Sequence, residues 1–186
     1  GDTEGGQTIH WLDPGMDSGD IIAQRALPID PEDTGATFGQ KLVEMGVPFF
    51  LETWPLIRRG EAPRTKQDDA LATYCAAPKP EDWIIPWHEP ARRVHNHVRG
   101  FGPPGEGAVT FFQGRRVRVL RTRVADPPLL VPGDGVPGQV LGGTGEGILV
   151  RTGEGVVAIL DARFEDDGSS LLAGPVLGPW CVLGRA

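Results

Sequence analysis

The residues of this chain best placed to do chemistry are the carboxylates of a short segment near its beginning. The segment reads DPGMDSGD, runs from Asp13 to Asp20 and is called the acidic loop below. Apolar or alternating residues flank it on both sides, as expected for two strands joined by a turn. Such a loop can hold a carboxylate rigidly at the mouth of a cleft, where it could accept a proton. The same string is also a common polar turn whose Asp side chains bond to their own backbone.

Calcium binding is a third interpretation of the acidic loop, and the residues fit it less well. An EF-hand loop ends in a bidentate glutamate and lies between two helices. No glutamate occupies that position here, and the flanking segments are predicted strands. We therefore predict no metal site.

Two strands and a long helix are predicted to position the acidic loop. The strands cover residues 7–12 and 21–27. The helix starts after Thr34 as its N-cap and ends at Gly60, and Pro48 inside it is expected to kink or split it. Apolar residues recur along this helix at helical spacing, namely Phe38, Leu42, Val43, Val47, Phe50, Leu51, Trp54 and Ile57.

Charge and composition change along the chain and indicate two folding units. Residues 1–87 contain 7 basic and 15 acidic side chains, whereas residues 88–186 contain 11 basic and 10 acidic ones. We expect a first domain at 1–65, a proline-containing linker at 66–87 and a second domain at 88–186.

The second domain is predicted to be rich in β-structure. A short helix from Pro90 to Gly100 precedes six strand-like stretches, which are AVTFF, RVRVLRTRV, GQVL, ILV, VVAIL and VLGPWCVL. Glycine-rich turns separate these stretches, and their spacing favours a small antiparallel barrel.

Cysteine content and hydropathy exclude several classes of protein. Only Cys75 and Cys181 occur, without CxxC spacing, so neither a disulfide framework nor a zinc ribbon is indicated. No signal peptide is recognisable and no apolar run is long enough to cross a bilayer. We expect a cytoplasmic protein with no membrane partner.

Residues 1–24 resemble a motif of a known enzyme family. They read GDTEGGQTIHWLDPGMDSGDIIAQ, similar to the GD-x-E-x-G-x-T-x and D-x-G-x-D-x-G-D-I segments of formyltransferases of the methionyl-tRNA formyltransferase kind. The similarity continues through EDTGATFGQKLVEMG, ATY and VHNHVRGF. It implies an α/β fold, the tail of a nucleotide-binding-like formyltransferase domain, followed by a β-rich C-terminal domain with an OB-like barrel.

The resemblance also implies the site and its cofactor. In this family an amine attacks the formyl carbon of 10-formyltetrahydrofolate, and Asp17 matches the aspartate that relays the amine proton. The pterin pocket would be bordered by Asp13, Pro14, Gly15 and Met16. The family's Asn-x-His pair is not found in this sequence. We therefore expect formyl transfer only with the N-terminal half that carries this pair, whether the chain is a fragment or that half is a separate polypeptide.

The histidines are assigned no catalytic role. His95 and His97 are two residues apart on a predicted helix and so point to different sides. His10 lies on a strand and, by resemblance, faces the surroundings of the cleft. A structural or solvent-exposed role is expected for these three and for His88.

The sequence leaves the amine acceptor open. Five arginines cluster in or directly before one predicted strand, namely Arg115, Arg116, Arg118, Arg121 and Arg123. The resemblance implies contact between this domain and tRNA phosphates in tRNA-specific members. Strict alternation would place Arg121 and Arg123 on the side of Val119, which would interrupt the basic surface. We therefore favour a small amine, such as an amino sugar, over methionyl-tRNA. A non-catalytic module that binds the acceptor or RNA is the alternative.

Overall fold

The chain folds into two compact units in a computed structural model that describes residues 1–125, 135–173 and 181–184. One unit is Asp2–Ala77, and the other comprises Gly1 and Pro78–Ala186. Each unit has its own secondary structure and its own packing.

The first unit contains a two-stranded antiparallel hairpin. Strand β1 (Glu4–His10) pairs with strand β2 (Ile21–Pro28), and the register shifts between Ile9 and His10. The two strands predicted around the acidic loop are therefore confirmed. The loop leaves the hairpin at the point where regular pairing ends.

A single long helix follows the hairpin. Helix α1 (Gly35–Arg59) begins with a capping box, in which Thr34 and Thr37 each accept a hydrogen bond from the other's backbone N–H. It ends at Gly60, which has a left-handed φ of 69°. Both predicted caps are confirmed. The helix is one element across Pro48, so the predicted split at this residue is wrong. The intrahelical hydrogen bonds lost at Pro48 and Pro55 are tolerated between two well-capped ends.

Helix α1 has two apolar sides. One side is partly buried against the hairpin, and there the Arg25 guanidinium lies 4.7 Å from the centre of the buried Phe49 ring. The other side carries exposed large residues, here called the outer apolar row: Val43, Val47, Phe50, Leu51 and Trp54. Two of these rings stack with their centroids 5.6 Å apart. An exposed row of this size is characteristic of an interaction surface.

The second unit is an antiparallel sheet with one α-helix. The helix is α2 (Ala91–Phe101). The strands are β3 (Ala108–Phe112), β4 (Arg115–Val124), β5 (Val140–Thr144), β6 (Gly147–Arg151) and β7 (Val156–Phe164). They are ordered β3-β4-β7-β6-β5. The helix and these five strands agree with the predicted stretches.

The core of the second unit lies between α2 and the sheet. The helix buries Ala91, Val94, His95 and Val98, which helical spacing places on one side. They pack on buried strand residues that include Val117, Val119, Val150, Ile159 and Ala162. The β-rich character of this domain is confirmed.

The described strands form an open sheet with β3 and β5 at its edges. Residues 181–184 make isolated bonds to both edges: the Leu183 N–H donates to the Gly138 carbonyl at 2.8 Å, and the Gly184 N–H to the Phe111 carbonyl at 2.9 Å. A strand ladder that closes the sheet is not seen in the described residues, and the OB-like barrel is not confirmed. The last predicted strand, at 176–183, lies largely outside them.

The arginines of β4 do not alternate as predicted. The register with β7 is irregular on both sides of Arg121, and the buried positions change from Val119 to Thr122, three residues apart. Arg121 and Arg123 are therefore exposed, and the prediction that they share the side of Val119 is wrong. A local irregularity of this kind changes the phase of a strand without any signal in its composition.

Candidate active site

The acidic loop is held by its own side chains and backbone. The N–H of Trp11 donates to the carbonyl of Asp20 at 2.9 Å, which closes the base of the loop. Inside the loop, Oδ1 of Asp13 accepts hydrogen bonds from the Gly15 N–H at 3.0 Å and the Ser18 hydroxyl at 2.8 Å. Asp13 therefore stabilises the turn, as the polar-turn interpretation expected.

Asp17 presents its carboxylate to solvent. Its side chain is 88% exposed, and its backbone is left-handed with a φ of 55°. Its Oδ1 lies 3.7 Å from Nε2 of His10, at the end of β1. The other ring nitrogen, Nδ1, lies 2.9 Å from the Trp11 carbonyl, which can only accept, so this nitrogen carries a hydrogen. Nε2 is thus the atom that faces Asp17.

The contact of His10 with Asp17 was missed from the sequence. Strand alternation gave this histidine no partner, since its pairing with Ile21 departs from the regular register. The only signal was its position seven residues before Asp17, at the opposite end of the turn.

A second residue that the sequence did not reveal contacts the loop from outside. The Nε2 atom of Gln67 donates to the carbonyl oxygen of Asp17 at 2.8 Å and to that of Gly19 at 2.7 Å. Gln67 was placed in the expected linker, where neither periodicity nor a motif marked it. It reaches the loop because Thr65 pairs with Ile21, through backbone bonds of 2.7 and 3.0 Å.

The residues just before Gln67 hold the base of the loop as well. The indole N–H of Trp11 donates to the Pro63 carbonyl at 3.0 Å. The guanidinium of Arg64 lies 4.3 Å from the centre of the Trp11 ring and 3.5 Å from a carboxylate oxygen of Asp20. Residues 63–67 are called the strap below, because they bind both ends of the loop.

The predicted cofactor residues fit a flat heteroaromatic ligand in part. Pro14, Gly15 and Met16 are exposed beside Asp17, and the Met16 side chain is 92% exposed. An apolar side chain can cover the face of a ring, and neighbouring backbone amides can contact its polar edge. The Gly15 N–H is already bonded to Asp13, so it is the least available of these groups.

The first unit lacks the amide partner that the resemblance requires. The one asparagine of the chain, Asn96, belongs to the second unit. Across the described ranges, no group of three His, Cys, Asp or Glu side chains is arranged to hold a metal ion. None of the helices found there combines the length and hydrophobicity needed to cross a membrane.

Family models match both units of the chain. A model described as "Formyl transferase" matches residues 1–53, and one described as "Formyl transferase, C-terminal domain" matches residues 78–170. The chain belongs to the formyl transferase family. The acidic loop lies inside the first match, and α2 with the five strands lies inside the second.

Curated relatives of this family member share more than a third of its residues. It is 37% identical over 182 residues to a methionyl-tRNA formyltransferase of Synechococcus sp. (strain JA-3-3Ab), covering 94% of this chain and 55% of that protein. It is 39% identical over 192 residues to a methionyl-tRNA formyltransferase of Moorella thermoacetica, covering 98% and 60%. The family member described here therefore spans a little over half the length of these relatives.

Solved structures share the fold at lower identity. HypX from Aquifex aeolicus matches with a TM-score of 0.69 at 21% identity, over 92% of this chain and 30% of that one. HypX in complex with tetrahydrofolic acid matches with a TM-score of 0.67 at 21% identity, over 91% and 28%. WlaRD, a sugar 3N-formyl transferase with dTDP and 5-N-formyl-THF, matches with a TM-score of 0.63 at 18% identity, over 89% and 57%.

Proposed function

We propose that this chain is the C-terminal part of an N-formyltransferase that transfers a formyl group from 10-formyltetrahydrofolate to a primary amine. The observation that carries the proposal is the exposed carboxylate of Asp17 on a loop fixed from both sides. The resemblance of the acidic loop to the family motif supports the assignment of the proton relay to this residue. Folate ligands in two proteins of similar fold support the choice of donor.

In this proposal Asp17 accepts the proton that the attacking amine must lose. The bound donor would supply the formyl carbon, and its N10 atom, released when the bond to that carbon breaks, would take up a proton as tetrahydrofolate leaves. A carboxylate that is exposed and rigidly placed can take the proton directly or through one water molecule. Nε2 of His10 lies 3.7 Å from this carboxylate and faces it. The loop residues Asp13 to Met16 would hold the donor's ring, with Asp13 acting through the turn that it stabilises.

The proposal includes a missing half of the catalytic domain. We propose that residues 1–65 are its C-terminal part, that 66–87 connect it to the domain at 88–186, and that the N-terminal half supplies the Asn-x-His pair. In the described part of the first unit the buried apolar side chains are Ile22 and Phe49, and so small a core does not stabilise a domain in isolation. The outer apolar row of α1 is the surface that this half would cover. The chain alone is then inactive.

We propose methionyl-tRNA as the first acceptor to test. The names of the curated relatives support it, and so does the exposure of Arg121 and Arg123, which removes the reason for favouring a small amine. A small amine is the second candidate, because several arginines of β4 are paired with carboxylates. Arg115 contacts Asp166 and Asp167, Arg118 contacts Glu165, and the exposed Arg123 contacts Glu146. Such pairs lower the positive charge available to phosphates. A cytoplasmic location stays a prediction.

The test uses the full-length polypeptide that contains this chain. It would be incubated with 10-formyltetrahydrofolate and either methionyl-tRNA or a dTDP-linked amino sugar, and the formylated product identified by mass spectrometry. Formyl-methionyl-tRNA is the expected product. If only the sugar is formylated, a small amine and not methionyl-tRNA is the acceptor. If neither acceptor is formylated, the transferase proposal is contradicted.

The binding-module alternative makes a different prediction in the same experiment. It requires RNA affinity that falls steeply with salt, without any turnover. Turnover that depends on Asp17 would exclude it.

A further inference from the structure

We propose that Gln67 is a positioning residue for Asp17, whose amide fixes the loop backbone on both sides of Ser18. The proposal rests on the proposed function of Asp17. Both bonds come from one nitrogen, at 2.8 Å to the Asp17 carbonyl and 2.7 Å to the Gly19 carbonyl. A primary amide nitrogen has two hydrogens, so these two bonds use its full donor capacity.

The chemistry of the contact requires a donor at this position. Both partners are carbonyl oxygens, which can only accept hydrogen bonds. A glutamate at residue 67 would have nearly the same shape but would present carboxylate oxygens to these carbonyls. Replacing the amide by a carboxylate therefore turns two attractive contacts into two repulsive ones with little change in size.

Gln67 acts on the loop at a place where the backbone is crowded. A Cβ atom on Gly19 would lie 1.6 Å from the Trp11 carbonyl oxygen, so the loop passes very close to its own base there. A shift of the Gly19 carbonyl toward this base is thus blocked. The amide adds bonds to the Asp17 and Gly19 carbonyls, so the backbone that carries the Asp17 side chain is constrained by both contacts.

The strap does not depend on Gln67 for its own placement. Thr65 is bonded to Ile21 through two backbone bonds, and Pro63 and Arg64 are both in contact with Trp11. A substitution at residue 67 should therefore leave the strap docked and alter the loop. Gln67 also lies between the residues matched by the two family models, which end at 53 and resume at 78.

The experiment measures formyl transfer by the full-length protein carrying Gln67→Glu, alone and together with Asp17→Asn. We expect Gln67→Glu to lower kcat by about tenfold to a hundredfold, since small displacements of a reacting group have effects of this size. In the Asp17→Asn background the same substitution should lower the residual kcat by less than about twofold, because Gln67 acts only through Asp17. Gln67→Ala should also lower kcat, but by a smaller factor.

Gln40→Ala is the matched control, because the Gln40 amide contacts only Glu44 on the exposed surface of α1 among the described residues. It should keep the wild-type kcat. Wild-type kcat in Gln67→Glu would overturn the proposal. An equal fractional loss in both backgrounds would also overturn it, since it would show an effect on the enzyme as a whole.

Hydrogen exchange separates this proposal from the proposed function. Gln67→Glu should speed amide exchange of residues 13–20 while exchange in α1 stays unchanged. If the wild type forms no formyl product but the loop is loosened in this way, the transferase proposal fails and the positioning contact stands. Unchanged exchange in the loop would refute the positioning contact itself.

Discussion

The Nε2 atom of His10 lies 3.7 Å from Oδ1 of Asp17, and the two groups differ strongly in their exposure to solvent. The imidazole is 20% exposed and the carboxylate 88% exposed. A polar contact with one highly exposed partner contributes little free energy of folding. Its effect is on orientation, because the half-buried ring is fixed by the Trp11 carbonyl and the carboxylate is not buried by anything described.

Replacing His10 with Gln should therefore have a modest effect on turnover. We expect kcat of the full-length enzyme to fall by less than about tenfold, because the contact orients Asp17 without taking part in proton transfer. Steady-state kinetics at several pH values would check this. A loss as large as that of Asp17→Asn would instead make His10 a catalytic residue.

Replacing Asp17 with Asn should remove the proton acceptor and keep the shape of the side chain. We expect kcat to fall by about 10² to 10⁴, the usual contribution of a general base. Asp69→Asn, on an exposed turn of the same unit, is the control and should retain wild-type kcat. Near-normal turnover of Asp17→Asn would show that the assigned role is wrong.

Replacing Asp13 with Ala should loosen the acidic loop. The substitution removes the oxygen that accepts from Gly15 and Ser18, at a cost of about 1 kcal/mol for exposed hydrogen bonds. Urea unfolding would measure the change in the free energy of unfolding. Asp13→Asn keeps an acceptor oxygen and should lose less. Equal losses for the two variants would show that the turn does not depend on this oxygen.

The outer apolar row of α1 offers a test of the proposed N-terminal half. Leu51 is 62% exposed and Leu71 is 78% exposed in the structure described. If the N-terminal half covers the row, Leu51→Ala should lower the free energy of unfolding of the full-length protein by about 2–5 kcal/mol. Leu71→Ala, outside the row, should change it by less than about 0.5 kcal/mol. Similar small effects for both would mean that the row stays exposed.

Stability should depend on pH through His97. Burial lowers the pKa of His97 below its ordinary value of 6.5, against opposing effects of the Trp83 carbonyl and Asp82. The unfolded chain then binds a proton more readily than the folded one, so stability falls as pH drops below 6.5 toward the folded pKa. Urea unfolding at pH 7.5 and 5.5 should show this loss for the wild type.

His97→Phe should show a smaller loss of stability between these two pH values, because it removes the titrating group while keeping a ring next to Phe101. His88→Gln is the control, since its side chain is 77% exposed. An unchanged pH dependence in His97→Phe would assign the effect to another group.

The structural features that could be predicted from the sequence are those set by residues close together in the chain. Thr34 and Gly60 cap α1 through bonds within a few residues, and the buried side of α2 follows from helical spacing. The exposed Asp17 was found through the resemblance of its loop. In contrast, the exposure of Arg121 depends on how β4 pairs with β7, and strand alternation gave the wrong side.

Contacts between distant residues explain what the sequence did not reveal. Gln67 is separated from Asp17 by 50 residues, and it meets the loop only because Thr65 pairs with Ile21. The strap is held by one backbone bridge and leaves no periodic pattern in the sequence. The composition of this region therefore predicted a linker. The open sheet of the second unit likewise depends on how residues 181–184 bond to its two edges.

The left-handed backbone of Asp17, with its φ of 55°, restricts which amino acids can occupy this residue over evolutionary time. Glycine, asparagine and aspartate adopt this conformation most readily, whereas other side chains cost about 1–2 kcal/mol there. Only aspartate among the three carries a carboxylate. A glutamate also carries a carboxylate, but it would strain the turn and place the acid one carbon farther out. Backbone conformation and acidity together therefore favour aspartate at this position.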